Sequence, residues 1–254
     1  MFNSFHRYYL ERWLKSEHNI PSAAVGQIYD WAAAVSPNEL AGLLLKDGTI
    51  KISKPGTSLH SLVSAEMFVP NSFVPNSEDV LFLWHSHCDS NPARFSTADI
   101  QTLRASQYSG IVINPTNDTF DYADKEDRLK FPLDGRNWYY GIHDCYSLVT
   151  HYLKRHFSHI ELPDISRGRD LEWRSNSFAP FQFLDLPDKW GWHLCLEDPQ
   201  LGDIFCSNKG RHLSVFTEYG GRCFTHYYDT PCQLILPNKF SFSLGSRLYR
   251  YLPE

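Results

Sequence analysis

The stretch Asp79-Val80-Leu81-Phe82-Leu83-Trp84-His85-Ser86-His87 sets the reading of this chain. Asp79 to Trp84 is a short, apolar, β-prone run that follows the loop residues Pro75-Asn76-Ser77, which predicts a buried strand with His85 and His87 at its end. Residues two apart in a strand share a face, so both imidazoles can aim at one point. Downstream, Ser96-Thr97-Ala98-Asp99 leads into Ile100, Leu103 and Arg104 at helical spacing, which places Asp99 in a helix's first turn. Each signal alone has a plainer meaning: Ser-x-x-Asp also caps helices, and His-x-His at a strand end is common. Together, two imidazoles and one carboxylate with a fourth position left for water are the ligand set of a catalytic zinc site. Pro37-Asn38-Glu39-Leu40-Ala41-Gly42-Leu43-Leu44-Leu45 adds Glu39 at the head of an earlier apolar strand, a carboxylate of the type a general base requires.

Glu39 ahead of Gly42-Leu43-Leu44, then His85-Ser86-His87, Ser96 and Asp99, resembles the JAMM (MPN-plus) metallopeptidase motif. The resemblance implies that His85, His87 and Asp99 hold Zn2+, that Glu39 activates water and that Ser96 helps to stabilise the oxyanion. The chain departs from the motif in two ways. Eight residues, Cys88 to Phe95, separate His87 from Ser96 where seven are usual, and Cys88, itself a possible zinc ligand, stands where Pro often follows.

The 254 residues, 42% apolar, suffice for one large domain or two of ordinary size. A net charge of −5 lacks the electrostatic footprint of a nucleic-acid binder. Six cysteines form no CxxC pair, the N-terminus has no apolar signal-like core, and no apolar run is long enough to span a bilayer. The expectation is a protein made in a reducing cytosol, not exported by the usual signal and not inserted in a membrane. Helical spacing runs through Phe5 to Lys15 and Pro21 to Ala34, β structure with an Asp47-Gly48 hairpin turn through Leu40 to Ile52, and strands through Ile111 to Ile113 and Thr119 to Tyr122. From Ala123 to Asn137 the sequence is charge-dense and turn-rich, which predicts a linker between domains 1–122 and 138–254.

In the second half, Asp144 precedes a helical run in which Leu148, Val149, Tyr152 and Leu153 share a face. Cys145 then sits at a helix N-terminus, where unpaired N–H groups favour a thiolate, although a cysteine met alone is more often a buried small hydrophobe. Strands are expected at Ile204-Phe205, from His212 to Phe216 and up to His226, with a Gly220-Gly221 turn. A cysteine on a helix end, a histidine on a sheet and a second polar group to orient it are the elements of a papain-like site.

Asp144-Cys145, Gly202-Asp203, His212-Leu213-Ser214-Val215-Phe216 and His226 are similar to the motif of NlpC-type cell-wall peptidases. The resemblance implies Cys145 as nucleophile, His212 as base, His226 as orienting residue and Trp138 near the oxyanion region. Tyr146-Ser147 stands where Ser-Gly is usual, and Ser214 where Gly often follows the histidine. His143, His151, His156, His159 and His193 read as surface or capping residues, and Trp173, Trp190 and Trp192 as core or groove residues. A JAMM domain followed by an NlpC-type domain resembles the tail-tip assembly protein K family of long-tailed bacteriophages. The implied protein is α+β with two domains, a JAMM-like α/β zinc peptidase domain and a papain-like NlpC-type domain. It would be made in the host cytoplasm and carried in the virion tail tip, with tail-tip proteins and peptidoglycan stem peptides as partners and no nucleic acid. The Phe240 to Tyr251 run is unassigned and suits a docking element for a tail partner.

Overall fold

A computed structural model describes residues 5–52, 79–105, 108–157, 159–160, 162, 191–207, 212–219, 221–225, 230–236 and 247–252. The chain forms two compact units, Met1–Phe131 and Pro132–Glu254. Trp173, Trp190 and His226 lie outside the described residues.

The first unit runs β1 (Phe5–His6), α1 (Arg7–His18), α2 (Ser22–Val35), β2 (Ala41–Leu45), β3 (Ile50–Ile52), β4 (Val80–Ser86), α3 (Thr97–Ala105), β5 (Gly110–Asn114) and β6 (Thr119–Ala123). These strands form one sheet in the order β1-β6-β5-β4-β2-β3. Only β4 and β5 are parallel, because α3 lies in the connection between them. The whole of β4 is buried, as expected of a continuous apolar run inside a sheet with both faces covered. Leu10, Leu14, Val25 and Ile28 from α1 and α2 pack against Leu44, Phe82, Trp84, Ile111 and Phe120.

Two local differences from the sequence reading have simple causes. Phe5 and His6 pair with Phe120 and Thr119 as a short strand, so the first helix begins at Arg7. The charged stretch 123–137 is built into the units, not laid out as a linker. Lys125, Glu126, Arg128 and Lys130 are exposed, while Asp127, Leu129 and Phe131 between and after them are buried. Leu129 and Phe131 belong to the first core, and Arg136 and Asn137 are buried in the second unit. Composition averaged over the stretch hides this alternation.

The second unit consists of α4 (Cys145–His156) and an antiparallel sheet of β7 (Trp192–Cys195), β8 (Ile204–Ser207), β9 (His212–Phe216), β10 (Cys223–Thr225), β11 (Gln233–Ile235) and β12 (Arg247–Tyr251), ordered β11-β10-β9-β8-β12-β7. Leu148, Val149 and Tyr152 of α4 pack with Ile204, Leu213, Val215 and Phe224 in one core. The rings of Tyr152 and Phe224 meet edge to face at 6.1 Å. A helix layered on an antiparallel sheet is an α+β arrangement. Of the C-terminal run, Arg247–Tyr251 form an inner strand: β12 lies between β8 and β7 with Leu248 and Tyr249 buried. Arg250 on β12 reaches Asp203 Oδ2 at 2.9 Å and Glu197 Oε2 at 2.8 Å.

All six cysteines are free thiols. Among the described residues no helix is long and apolar enough to cross a membrane.

Candidate functional site

β4 carries His85 at its penultimate position, and His87 follows just past its end with its N–H bonded to Ile113 O on β5 at 2.8 Å. The two histidines lie, by strand alternation, on the face opposite Phe82, Trp84 and Ser86. Asp99, in the first turn of α3, completes the group. His85 Nε2 is 3.2 Å from His87 Nε2 and 3.3 Å from Asp99 Oδ2, and His87 Nε2 is 3.9 Å from the same oxygen. Three donors bound tetrahedrally to zinc at about 2.0–2.1 Å would stand about 3.3–3.4 Å apart, so the triangle has the size and donor chemistry the ion needs. Glu39 Oε1 lies 4.0 Å from His87 Nε2. Beside the group is a cleft of about 430 Å³ lined by Pro37, Glu39, His87, Cys88, Asp89, Ser96 and Asp99.

The electrostatics keep Asp99 ready as a ligand. Burial pushes its carboxyl up, but the adjacent His85 and hydrogen bonds from Ser96 outweigh that and hold it at about 2. Ser96 caps α3: its N–H and Oγ donate to Asp99 Oδ2 at 2.8 and 2.7 Å, and its carbonyl accepts the Ile100 N–H. The capping motif and the ligand motif are therefore the same residues, and the cap aims the carboxylate oxygen at the histidines. Ser96 also lines the cleft. Burial lowers the His87 pKa, favouring the neutral imidazole that binds metals. Burial raises the Glu39 pKa, with His85 opposing and Asp99 and Asp89 adding to the rise, and so makes this carboxylate a stronger base. His85 Nδ1 is buried without a hydrogen-bond partner among the described residues, and the Phe95 ring stands 5.8 Å from the His85 ring.

The extra residue between His87 and Ser96 is accommodated by a pinned loop. Asn114, fully buried at the end of β5, donates from Nδ2 to Asp89 O at 2.9 Å and to Asn91 O at 2.7 Å, and its Oδ1 accepts the Thr116 N–H. Thr119 Oγ1 accepts the Ala93 N–H at 2.8 Å. Cys88 lines the cleft, but its thiol turns to Asn38 O at 3.4 Å, and its sulfur is not among the clustered ligand atoms. Asn114 was not singled out from sequence; the signal was an amide residue between the strand Ile111–Ile113 and the turn opened by Pro115. Asn114→Ala is expected to loosen the loop and weaken metal binding by about 10-fold or more, measured by chelator competition on the folded protein.

In the second unit, Cys145 is the first residue of α4 and only 9% exposed. Asp144 is the N-cap, accepting from Ser147 N–H at 2.9 Å and from Gly141 N–H at 2.8 Å. His212 opens β9, and its Nε2 lies 2.7 Å from Thr225 Oγ1 on β10 and 3.4 Å from Ser214 Oγ. Thr225 thus pairs with the His212 ring in this structure. Burial pushes His212 down to about 4, which leaves a neutral imidazole at pH 7. Trp138 is buried and stacked with Tyr140 at 6.0 Å. Burial pushes the Cys206 and Cys223 thiols up to about 12, so these two are the small buried hydrophobes that a free cysteine commonly is.

Two of the histidines read as surface or capping residues, His143 and His151, are buried. His151 Nδ1 lies 2.8 Å from Arg136 Nη1, and the His143 and His151 rings are perpendicular at 6.3 Å. A guanidinium only donates, so His151 Nδ1 is the acceptor and the ring gains a buried partner that its sequence position did not announce.

No curated protein matches the chain. Residues 21–124, a stretch that contains Glu39, His85, His87, Ser96 and Asp99, match the family of prokaryotic homologs of the JAB domain.

Proposed function

We propose that the first unit is a zinc-dependent peptidase or isopeptidase. The observation that carries the reading is the His85, His87 and Asp99 cluster beside a cleft that also holds Glu39, inside a JAB/MPN-like domain. Two imidazole nitrogens and a carboxylate oxygen would hold the ion and leave it an open position. Bound zinc supplies Lewis acidity, polarising a scissile carbonyl and making water acidic near neutral pH. Glu39 takes the proton from the attacking water at its carboxylate and delivers it to the leaving amine. The Ser96 hydroxyl, on the cleft wall, donates to Asp99 Oδ2 at rest and would turn its one proton from that oxygen to the developing oxyanion.

For the second unit we propose a thiol endopeptidase acting on peptidoglycan stem peptides. The supporting observation is a cysteine that opens a capped helix packed on the strand headed by His212. Cys145 attacks the scissile carbonyl, His212 handles the proton and Thr225 holds the ring, while His226 keeps the orienting role that the motif implies. The order of the two motifs supports a role as a tail-tip assembly protein carried in a phage virion and made in the host cytoplasm, with tail-tip proteins as its partners. The competing reading is a structural tail-tip component with one or both sites inactive.

Digestion of purified peptidoglycan by the wild type, Cys145→Ala and His87→Ala, with released muropeptides identified by mass spectrometry, tests both units. The expected outcome is stem-peptide cleavage by the wild type and His87→Ala that disappears in Cys145→Ala. A folded wild type that releases nothing favours the structural reading.

A further inference from the structure

We infer that the hydroxyl of Ser86, the middle residue of His85-Ser86-His87, is a positioning group that keeps Glu39 beside the metal ligands. The inference rests on the zinc-peptidase reading for what Glu39 does, and on backbone geometry for how Glu39 is held.

β2 begins at Ala41, opposite His85, so Leu40 and Glu39 lie just beyond the ladder that joins β2 to β4. Opposed residues in an antiparallel ladder commonly exchange two backbone bonds. Leu40 and Ser86 make the first in the ordinary way, Ser86 N–H donating to Leu40 O at 2.8 Å. The return bond, from Leu40 N–H, goes to Ser86 Oγ at 2.9 Å. Immediately afterwards His87 N–H bonds Ile113 O, so the chain leaving β4 stays with β5 as it parts from β2. The hydroxyl therefore carries the β2–β4 attachment one residue past the strand, to the residue next to Glu39. Ser86 and Leu40 are both buried, and an N–H left there without a partner has no water to replace the bond. Ser86 points to the face opposite His85 and His87, so its hydroxyl acts on the base and not on the ligands.

The test uses isotope-labelled full-length protein with cobalt(II) as the metal probe, comparing wild type, Ser86→Ala and Ser86→Thr. Amide exchange at Leu40 reports the bond, cobalt-induced NMR shifts of Glu39 report its distance from the metal, and titration gives cobalt affinity. Ser86→Ala is expected to speed Leu40 exchange about tenfold and to move the Glu39 shifts. Cobalt affinity should change by less than the ~10-fold typical of a lost ligand-orienting partner. Ser86→Thr, which keeps the hydroxyl, restores both signals. Unchanged Leu40 exchange and Glu39 shifts in Ser86→Ala, or failure of Ser86→Thr to restore them, overturns the inference. A folded wild type that takes up no cobalt overturns the metal-centre reading instead, and Leu40 exchange alone then decides the role of Ser86.

Discussion

His87→Ala is expected to empty the metal site, whereas Glu39→Gln leaves the metal bound and removes the hydrolysis. A four-coordinate zinc site is worth roughly 10–16 kcal/mol at pH 7, so losing one protein ligand costs roughly 3 kcal/mol, about 10²-fold in affinity. His87 Nε2 lies within 4 Å of His85 Nε2 and of Asp99 Oδ2, and among the described residues no other imidazole belongs to the cluster to take its place. Glu39 is 4.0 Å from His87 Nε2 but outside the ligand triangle, so glutamine in its place preserves the donors. Loss of a positioned general base costs about 10²–10⁴-fold in rate. Zinc content after dialysis, together with mass-spectrometric cleavage of a peptide and isopeptide pool, separates the two variants. A Glu39→Gln protein that loses its zinc, or cleaves at the wild-type rate, would show that Glu39 has a different role.

The ligand strand and the ligand helix were legible because each obeys a local rule. An apolar run bounded by loop residues made β4, the two-residue period put His85 and His87 on one face, and the capping motif placed Asp99 in the first turn of α3. The hairpin turn at Asp47-Gly48 and the Asp144 cap of α4 were legible for the same reason. What holds these pieces together depends on partners far apart in sequence. Ser86 meets Leu40 across 46 positions, and Asn114 meets Asp89 across 25. No periodicity in one segment announces such bonds. The buried His151 depends likewise on Arg136, from a stretch whose charge suggested exposure. β12 was unread because its burial comes from β7 and β8 on either side, not from its own composition.

Gly42→Ala is expected to destabilise the first unit by about 3 kcal/mol, since overpacking a close-packed core at rigid atoms lies at the upper end of such effects. A Cβ at Gly42 would collide with Lys51 O, the backbone carbonyl of the neighbouring strand, and stand 2.8 Å from Trp84 Cζ2. Neither can yield cheaply. Lys51 is held in the β2–β3 ladder, and the Trp84 indole is fully buried in the α1–α2 side of the core. Gly42 pairs with Trp84 one step along the ladder from Ala41 and His85, so relief of the clash moves the strand that ends at Glu39. Denaturant unfolding should shift accordingly, and amide exchange in β2 and β4 should accelerate before that in β5. Wild-type stability and exchange in Gly42→Ala would mean that β2 does not lie against Trp84 as described.

A zinc centre built from His85, His87 and Asp99, with Cys88 outside it, can be read by X-ray absorption at the zinc edge of the metal-loaded full chain. The expected spectrum has a shell of nitrogen and oxygen only, at about 2.0–2.1 Å, with the outer-shell scattering of two imidazoles. A sulfur contribution at about 2.3 Å would place Cys88 in the open position, and a folded protein that retains no zinc would contradict the metal centre itself.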